Sequence, residues 1–130
     1  MKKFGFLLFT LLLVSGCNVN HKVSFEQIDA SQAKEKLKQN NVLLVDVRTQ
    51  GEYLEKHIPG ALLLPLNVIE TGPDKVKKLL PDKDAEILVY CRSGRRSQEA
   101  AEILTASGYD KIFDIGGIND WPYETVSGEE

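Results

Sequence analysis

The sequence is poor in the residues that build metal sites and disulfide frameworks. Its 130 residues hold two cysteines, Cys17 and Cys91, two histidines and a single methionine and tryptophan. No Cys/His cluster has zinc spacing, so a structural metal site is not expected. There is no long basic run and the formal net charge is −3, which argues against nucleic acid as the general partner. Internal repeats and low-complexity segments are missing, which excludes a repeat array. The longest apolar run, from Phe4 to Val14, is interrupted by Gly5 and Thr10. A spanning helix needs about 20 apolar residues, so this run is too short to be one. What remains is enough for one core: a hydrophobic content of 42% in a length typical of a single domain.

The N-terminus reads as a processing signal. Lys2 and Lys3 form a basic start, Phe4 to Val14 a short apolar core, and Ser15-Gly16 set small residues before Cys17. Leu13-Val14-Ser15-Gly16-Cys17 resembles the lipobox of bacterial lipoprotein precursors. The resemblance implies a signal peptide over residues 1–16 that is removed, lipid on Cys17, a short polar tether over 17–22 and a folded domain over 23–128. It also implies an exported, membrane-anchored protein facing the periplasm or cell exterior. A plain signal peptide with a chance cysteine is the alternative. With Cys17 lipidated, a Cys17–Cys91 disulfide is impossible, and Cys91 is the one thiol of the mature chain.

Beyond residue 22, short apolar runs alternate with helical patterns. Strands are expected at Val23–Ile28, Val42–Val45, Ala61–Leu64, Ile87–Tyr90 and Ile112–Ile115. Helices are expected at Ser31–Gln39, Gln50–Lys56, Pro73–Leu80 and Ser97–Ser107. Val76, Leu79 and Leu80 are read on one face of the third helix; Ala100, Ile103, Leu104 and Ser107 on the inner side of the fourth. Gly116-Gly117 is read as the start of a C-terminal turn. The alternation predicts an α/β domain with a mostly parallel central sheet flanked by helices. Ligands of such sheets bind beyond the C-terminal strand ends, where Asp46 and Cys91 both fall.

Cys91 has unusual neighbours. It follows a strand and precedes Arg92-Ser93-Gly94-Arg95-Arg96 and a helix. A glycine-containing turn aims backbone N–H groups inward, and a helix N-terminus adds partial positive charge. With three guanidiniums nearby, these features favour thiolate over thiol, so a thiol more acidic than the free value of about 8.5 is expected. The same cradle would hold an anion arriving at the sulfur. The plainer alternative is a solvated basic loop over an inert buried cysteine.

The segment Cys91 to Ser97 resembles the active-site loop of the rhodaneses, the thiosulfate sulfurtransferases. Asp46-Val47-Arg48, Glu52-Tyr53 and His57-Ile58-Pro59-Gly60-Ala61 are similar to that family's N-terminal signature, and Gly116-Gly117 with Trp121 to its C-terminal one. The likeness runs from about Phe25 to Val126 and is nearest the small single-domain exported type. Lys56 departs from it, standing where a glycine usually precedes the histidine. The resemblance implies that Cys91 attacks the outer sulfur of thiosulfate, releases sulfite and carries a persulfide to a thiophilic acceptor such as cyanide or a thiol. It implies that backbone N–H groups of residues 92 to 96 stabilise the persulfide, that Arg92 and Arg95 recognise the sulfonate, and that Arg96 shapes the loop at the helix start. No metal or organic cofactor is implied. The partners are a small anionic sulfur donor, a thiophilic acceptor and the membrane, and a monomer is expected.

Asp46 and Arg48 are read as supporting residues that steady the loop network, His57 as structural, Trp121 as core or cover for the site, and Glu129-Glu130 as a solvated tail. Two other functions compete. Tyrosine phosphatases and arsenate reductases also use a Cys…Arg anion loop, but theirs would put the arginine at position 97, which is Ser97. The shorter spacing to Arg96 suits a single sulfur atom better than a tetrahedral phosphate. A rhodanese-like sulfur carrier or binding module is the non-enzymatic alternative.

Overall fold

The computed structural model describes residues 24–129. The proposed signal peptide, Cys17 and the tether lie outside them. Five strands, β1 (Glu26–Gln27), β2 (Val42–Asp46), β3 (Leu62–Leu63), β4 (Glu86–Cys91) and β5 (Ile112–Gly117), form one sheet in the order β1-β5-β4-β2-β3, with every neighbouring pair parallel. The helices are α1 (Ala30–Lys36), α2 (Gln50–Glu55), α3 (Leu66–Thr71), α4 (Pro73–Leu79) and α5 (Arg95–Ala106), with a final 3-10 turn at Ile118–Asp120.

β2 and β4 form because their apolar runs are buried on both faces, as a covered parallel sheet requires. Alternation then sorts the side chains. Ile87, Val89 and Cys91 of β4 join Val45, Ile69, Val76, Leu80, Ala100, Ala101 and Leu104 under α3, α4 and α5. Leu88 and Tyr90 face the other way, with Ala33 of α1, Ile58, Ala61 and Ile118. Cys91 and Tyr90 are thus consecutive residues on opposite faces of the sheet.

Several elements differ from the sequence expectation. β1 is only two residues long. α3 was not anticipated; it is a six-residue helix between Pro65 and Gly72, a stretch that carries loop-like punctuation. β5 continues through Gly116 and Gly117, which were read as a turn: Gly117 pairs with Cys91, past an irregularity between Val89 and Cys91. α5 begins at Arg95 rather than Ser97. Leu79 is exposed, leaving Val76 and Leu80 to bury α4. Ser107, the residue that caps α5, is also exposed; Ala100, Ala101, Leu104 and Thr105 fill its inner face.

On the Tyr90 face, an ionic network closes the space between β2, β4 and the segment after α2. Arg48 donates to Asp46 through Nη2 at 2.7 Å and Nε at 3.0 Å, both side chains being essentially buried. Arg48 Nη2 also donates to the Lys56 carbonyl at 2.6 Å. The Tyr90 hydroxyl donates to Asp46 Oδ2 at 2.8 Å and accepts from the Ile58 N–H at 3.1 Å. Burial works against the Arg48 charge, but the Asp46 hydrogen bonds and charge outweigh it, so its pKa is raised. Burial, with the Asp46 carboxylate adding to it, pushes the Tyr90 phenol far up, and it stays a donor. Nearby, His57 stacks on Tyr53 with ring centroids 3.7 Å apart, and its backbone exchanges two 2.9 Å hydrogen bonds with Val126, tying down the C-terminal segment. Removing one partner of a buried ion pair strands the other charge, at a cost of about 3–5 kcal/mol. Asp46→Ala is therefore expected to lose about that much stability in denaturant unfolding; a loss below about 1 kcal/mol would mean that the pair behaves like an exposed one.

Candidate active site

β4 delivers Cys91 to the C-terminal edge of the sheet, and α5 starts four residues later. Between them the chain folds back over the sulfur. Gly94 makes this turn possible: its φ is +112°, in the left-handed region. In that conformation the Gly94 N–H points at Cys91 Sγ, with N···S 3.0 Å. The thiol is 1% exposed. One side rests on the apolar cluster that includes Val45, Val47 and Ala100; the other meets the polar loop. Ser97, in the first turn of α5 and fully buried, holds its Oγ 3.6 Å from Sγ and donates to the Gly94 carbonyl at 3.0 Å.

The loop rests on β5. A Cβ at Gly117 would collide with the Arg92 carbonyl group and the Ser93 Cα, so only glycine lets the loop lie this close. The Asn119 N–H donates to the Arg92 carbonyl at 3.2 Å and fixes the crossing. Trp121 is half-buried and packs against the cluster on the Tyr90 face, edge-on to Tyr123.

The three arginines do not converge. Arg96 makes two hydrogen bonds to Glu52 of α2, at 2.7 and 2.9 Å, a bidentate arrangement that fixes both planes. Arg92 is mostly exposed and has its Nε 3.5 Å from Glu52 Oε2. Arg95 lines an open groove with Ser93, Gly94, Gln98, Gly116 and, from the β1–β5 edge, Gln27 and Asp114. Asp46 and Arg48 bond to each other, Tyr90 and Lys56, on the sheet face opposite Cys91. Their support reaches the 56–58 segment rather than the 92–96 loop.

Glu52, of the Glu52-Tyr53 pair, serves two partners. As the third residue of α2 it completes a capping box, with Thr49 Oγ1 accepting from its N–H at 3.3 Å. The Thr49-x-x-Glu52 spacing shows that much; the pairing with Arg96, 44 residues on, has no local signal. The Arg96 hydrogen bonds hold the Glu52 carboxyl at about 2, against an ordinary 4.5. The same bonds raise the Arg96 pKa against the loss of water, with Cys91 contributing less in the same direction.

The arrangement is a sulfur atom at a strand end, capped by a backbone N–H, a serine hydroxyl and the positive end of a twelve-residue helix. It suits an anionic sulfur or a small anion bonded to it. The chain belongs to the rhodanese family: residues 29–123 match the model of the rhodanese-like domain. It is 34% identical over 84 residues to the thiosulfate sulfurtransferase PspE of Escherichia coli, covering 65% of this chain and 78% of that one. It is 37% identical over 97 residues to a sulfurtransferase of Allochromatium vinosum, covering 73% and 86% respectively. A solved structure described as a rhodanese with anions from E. coli superposes with a TM-score of 0.61 at 33% identity, over 67% of this chain and 99% of that one.

Because Glu52 is ionised in the fold down to about pH 2, while an unfolded chain protonates it near 4.5, its contribution to stability is complete above about 4.5. It is lost as the pH falls through that interval towards 2. Glu52→Gln is expected to flatten the acid limb of the stability–pH curve between those values; equal slopes in the two proteins would contradict the assignment.

Proposed function

We propose that this chain is a thiosulfate-type sulfurtransferase working through a persulfide on Cys91. The observation that carries the reading is the Gly94 N–H directed at the sulfur from 3.0 Å in a loop closed by α5. In the first half-reaction the Cys91 thiolate attacks the outer sulfur of thiosulfate. A new S–S bond forms, the old one breaks, and sulfite leaves with the bonding pair. In the second, the lone pair of a thiol or cyanide takes the outer sulfur and the pair returns to Cys91 Sγ. Preorganised N–H donors act where that charge develops. Arg92, exposed at the loop edge, is the side chain that meets the sulfonate; Arg96, committed to Glu52, holds the loop; Arg95 offers a further positive charge on the groove side. Cys91→Ala is expected to abolish transfer while leaving the fold intact. Mass spectrometry after thiosulfate treatment should find one added sulfur on the peptide containing Cys91. Turnover of an aryl phosphate without persulfide would favour a phosphatase, and persulfide without turnover a sulfur carrier.

We further propose export and anchoring through lipid on Cys17, on the strength of the basic start, the short apolar core and Ser15-Gly16 before the cysteine. Two acyl chains suffice for stable anchoring, whereas one does not. Metabolic labelling with a fatty acid should mark the wild type and spare Cys17→Ala. Equal labelling, or none in either, contradicts the anchor.

A further inference from the structure

Among the described residues, Ser97 supplies the side-chain hydroxyl hydrogen-bonded to the sulfur, and neither half-reaction above assigns it a role. It is fully buried at the start of α5, so its bonds are not shared with water. Two carbonyl acceptors flank its Oγ, that of Gly94 at 3.0 Å and that of Gly116 at 3.4 Å, and Cys91 Sγ lies 3.6 Å away as a donor to it. A hydroxyl has one proton and two lone pairs. With Cys91 as a thiol, the S–H donates to Ser97 Oγ and the hydroxyl donates to Gly94. Once the thiol is ionised, Sγ has no proton to give, and rotation about the Cβ–Oγ bond brings the hydroxyl proton to the sulfur. The Gly94 carbonyl does not go unpaired, because it also accepts from the Gln98 N–H at 3.2 Å.

We infer that Ser97 is a catalytic hydroxyl that donates to Cys91 Sγ when that atom is a thiolate and withdraws to the Gly94 carbonyl when it is not. The inference rests on the sulfurtransferase reading and adds a division of labour to it. The inner sulfur is anionic at two moments: before it attacks the donor and after the acceptor has cleaved the S–S bond. Between them the negative charge sits on the outer sulfur. Ser97 therefore serves the attacking group in one half-reaction and the leaving group in the other, while the loop N–H groups serve the persulfide. No proton is gained or lost by Ser97; only its direction changes.

The test compares Ser97→Ala with wild type in two measurements. The first is alkylation of Cys91 by iodoacetamide as a function of pH, which needs no sulfur donor and so does not depend on the activity. Losing a hydrogen bond to a charged group is worth about a factor of ten, so the midpoint of the profile should move up by about one pH unit. The second is the single-turnover rate of persulfide formation and of its discharge to cyanide, both expected to fall about tenfold at neutral pH. Ser97→Thr, which keeps the hydroxyl, should restore both measurements, and Ser97→Val, the same shape without it, should not. That pair also decides the question should the alanine variant fail to fold. An unshifted alkylation profile in the variants lacking the hydroxyl overturns the inference. A shifted profile in a protein that forms no persulfide would uphold the hydroxyl's role at the thiolate and refute the sulfurtransferase reading instead.

Discussion

The hydrogen bond from the Gly94 N–H to Cys91 Sγ is the constraint around which the active end of this domain is organised. It requires a left-handed residue three positions after the cysteine, and Gly94 supplies it. It requires the loop to lie against β5, which only a residue without a side chain permits at position 117. It requires the first turn of α5 to be held in place, which the Ser97 hydroxyl does from inside and the Arg96–Glu52 pair from outside. Each partner of that bond is in turn set by a strand or helix whose own burial is strong: β4 is buried on both faces, and Ala100, Ala101 and Leu104 seat α5.

Positive potential at the sulfur comes less from the guanidiniums than their number suggests. Glu52 neutralises Arg96 and reaches Arg92, and Arg95 lines an open groove along the loop. What remains directed at Cys91 is a backbone N–H and the start of a helix. Dipoles of this kind are fixed by the fold and cost no reorganisation when charge appears on the sulfur. Exposed arginines, by contrast, sit in high dielectric, where their influence is screened.

Much of the fold could be read from the chain because its signals are local. The apolar runs Val42–Val45 and Ile87–Tyr90 are strands, the Ser97–Ser107 periodicity overlaps α5 up to Ala106, and Cys91 falls at a strand end. The misreadings arise where a local signal is overruled from far away. Gly116 and Gly117 carry turn chemistry, yet they continue β5 because the Cys91 loop must pass over them. Leu66–Thr71 is a helix between two residues that normally interrupt one, and its Ile69 is buried against the sheet by tertiary packing. Leu79 is apolar but falls on the solvent side of α4. At the site, the cysteine, the glycine turn and the helix were legible, whereas Glu52 was not: its capping role is written in a four-residue spacing, but its partner Arg96 is brought to it only by the folded sheet. The surroundings of Arg92, Arg95 and Arg96 have no local signal for the same reason, since proximity in sequence does not say which way a side chain leaves the loop.

The most direct test of this account is the structure of the protein after reaction with thiosulfate, at a resolution that separates the two sulfur atoms. The account predicts a second sulfur bonded to Cys91 Sγ and enclosed by the 92–96 loop, within hydrogen-bonding distance of its backbone N–H groups, with the Arg96–Glu52 pair unchanged. An unmodified thiol, or an outer sulfur directed away from the loop, would contradict it.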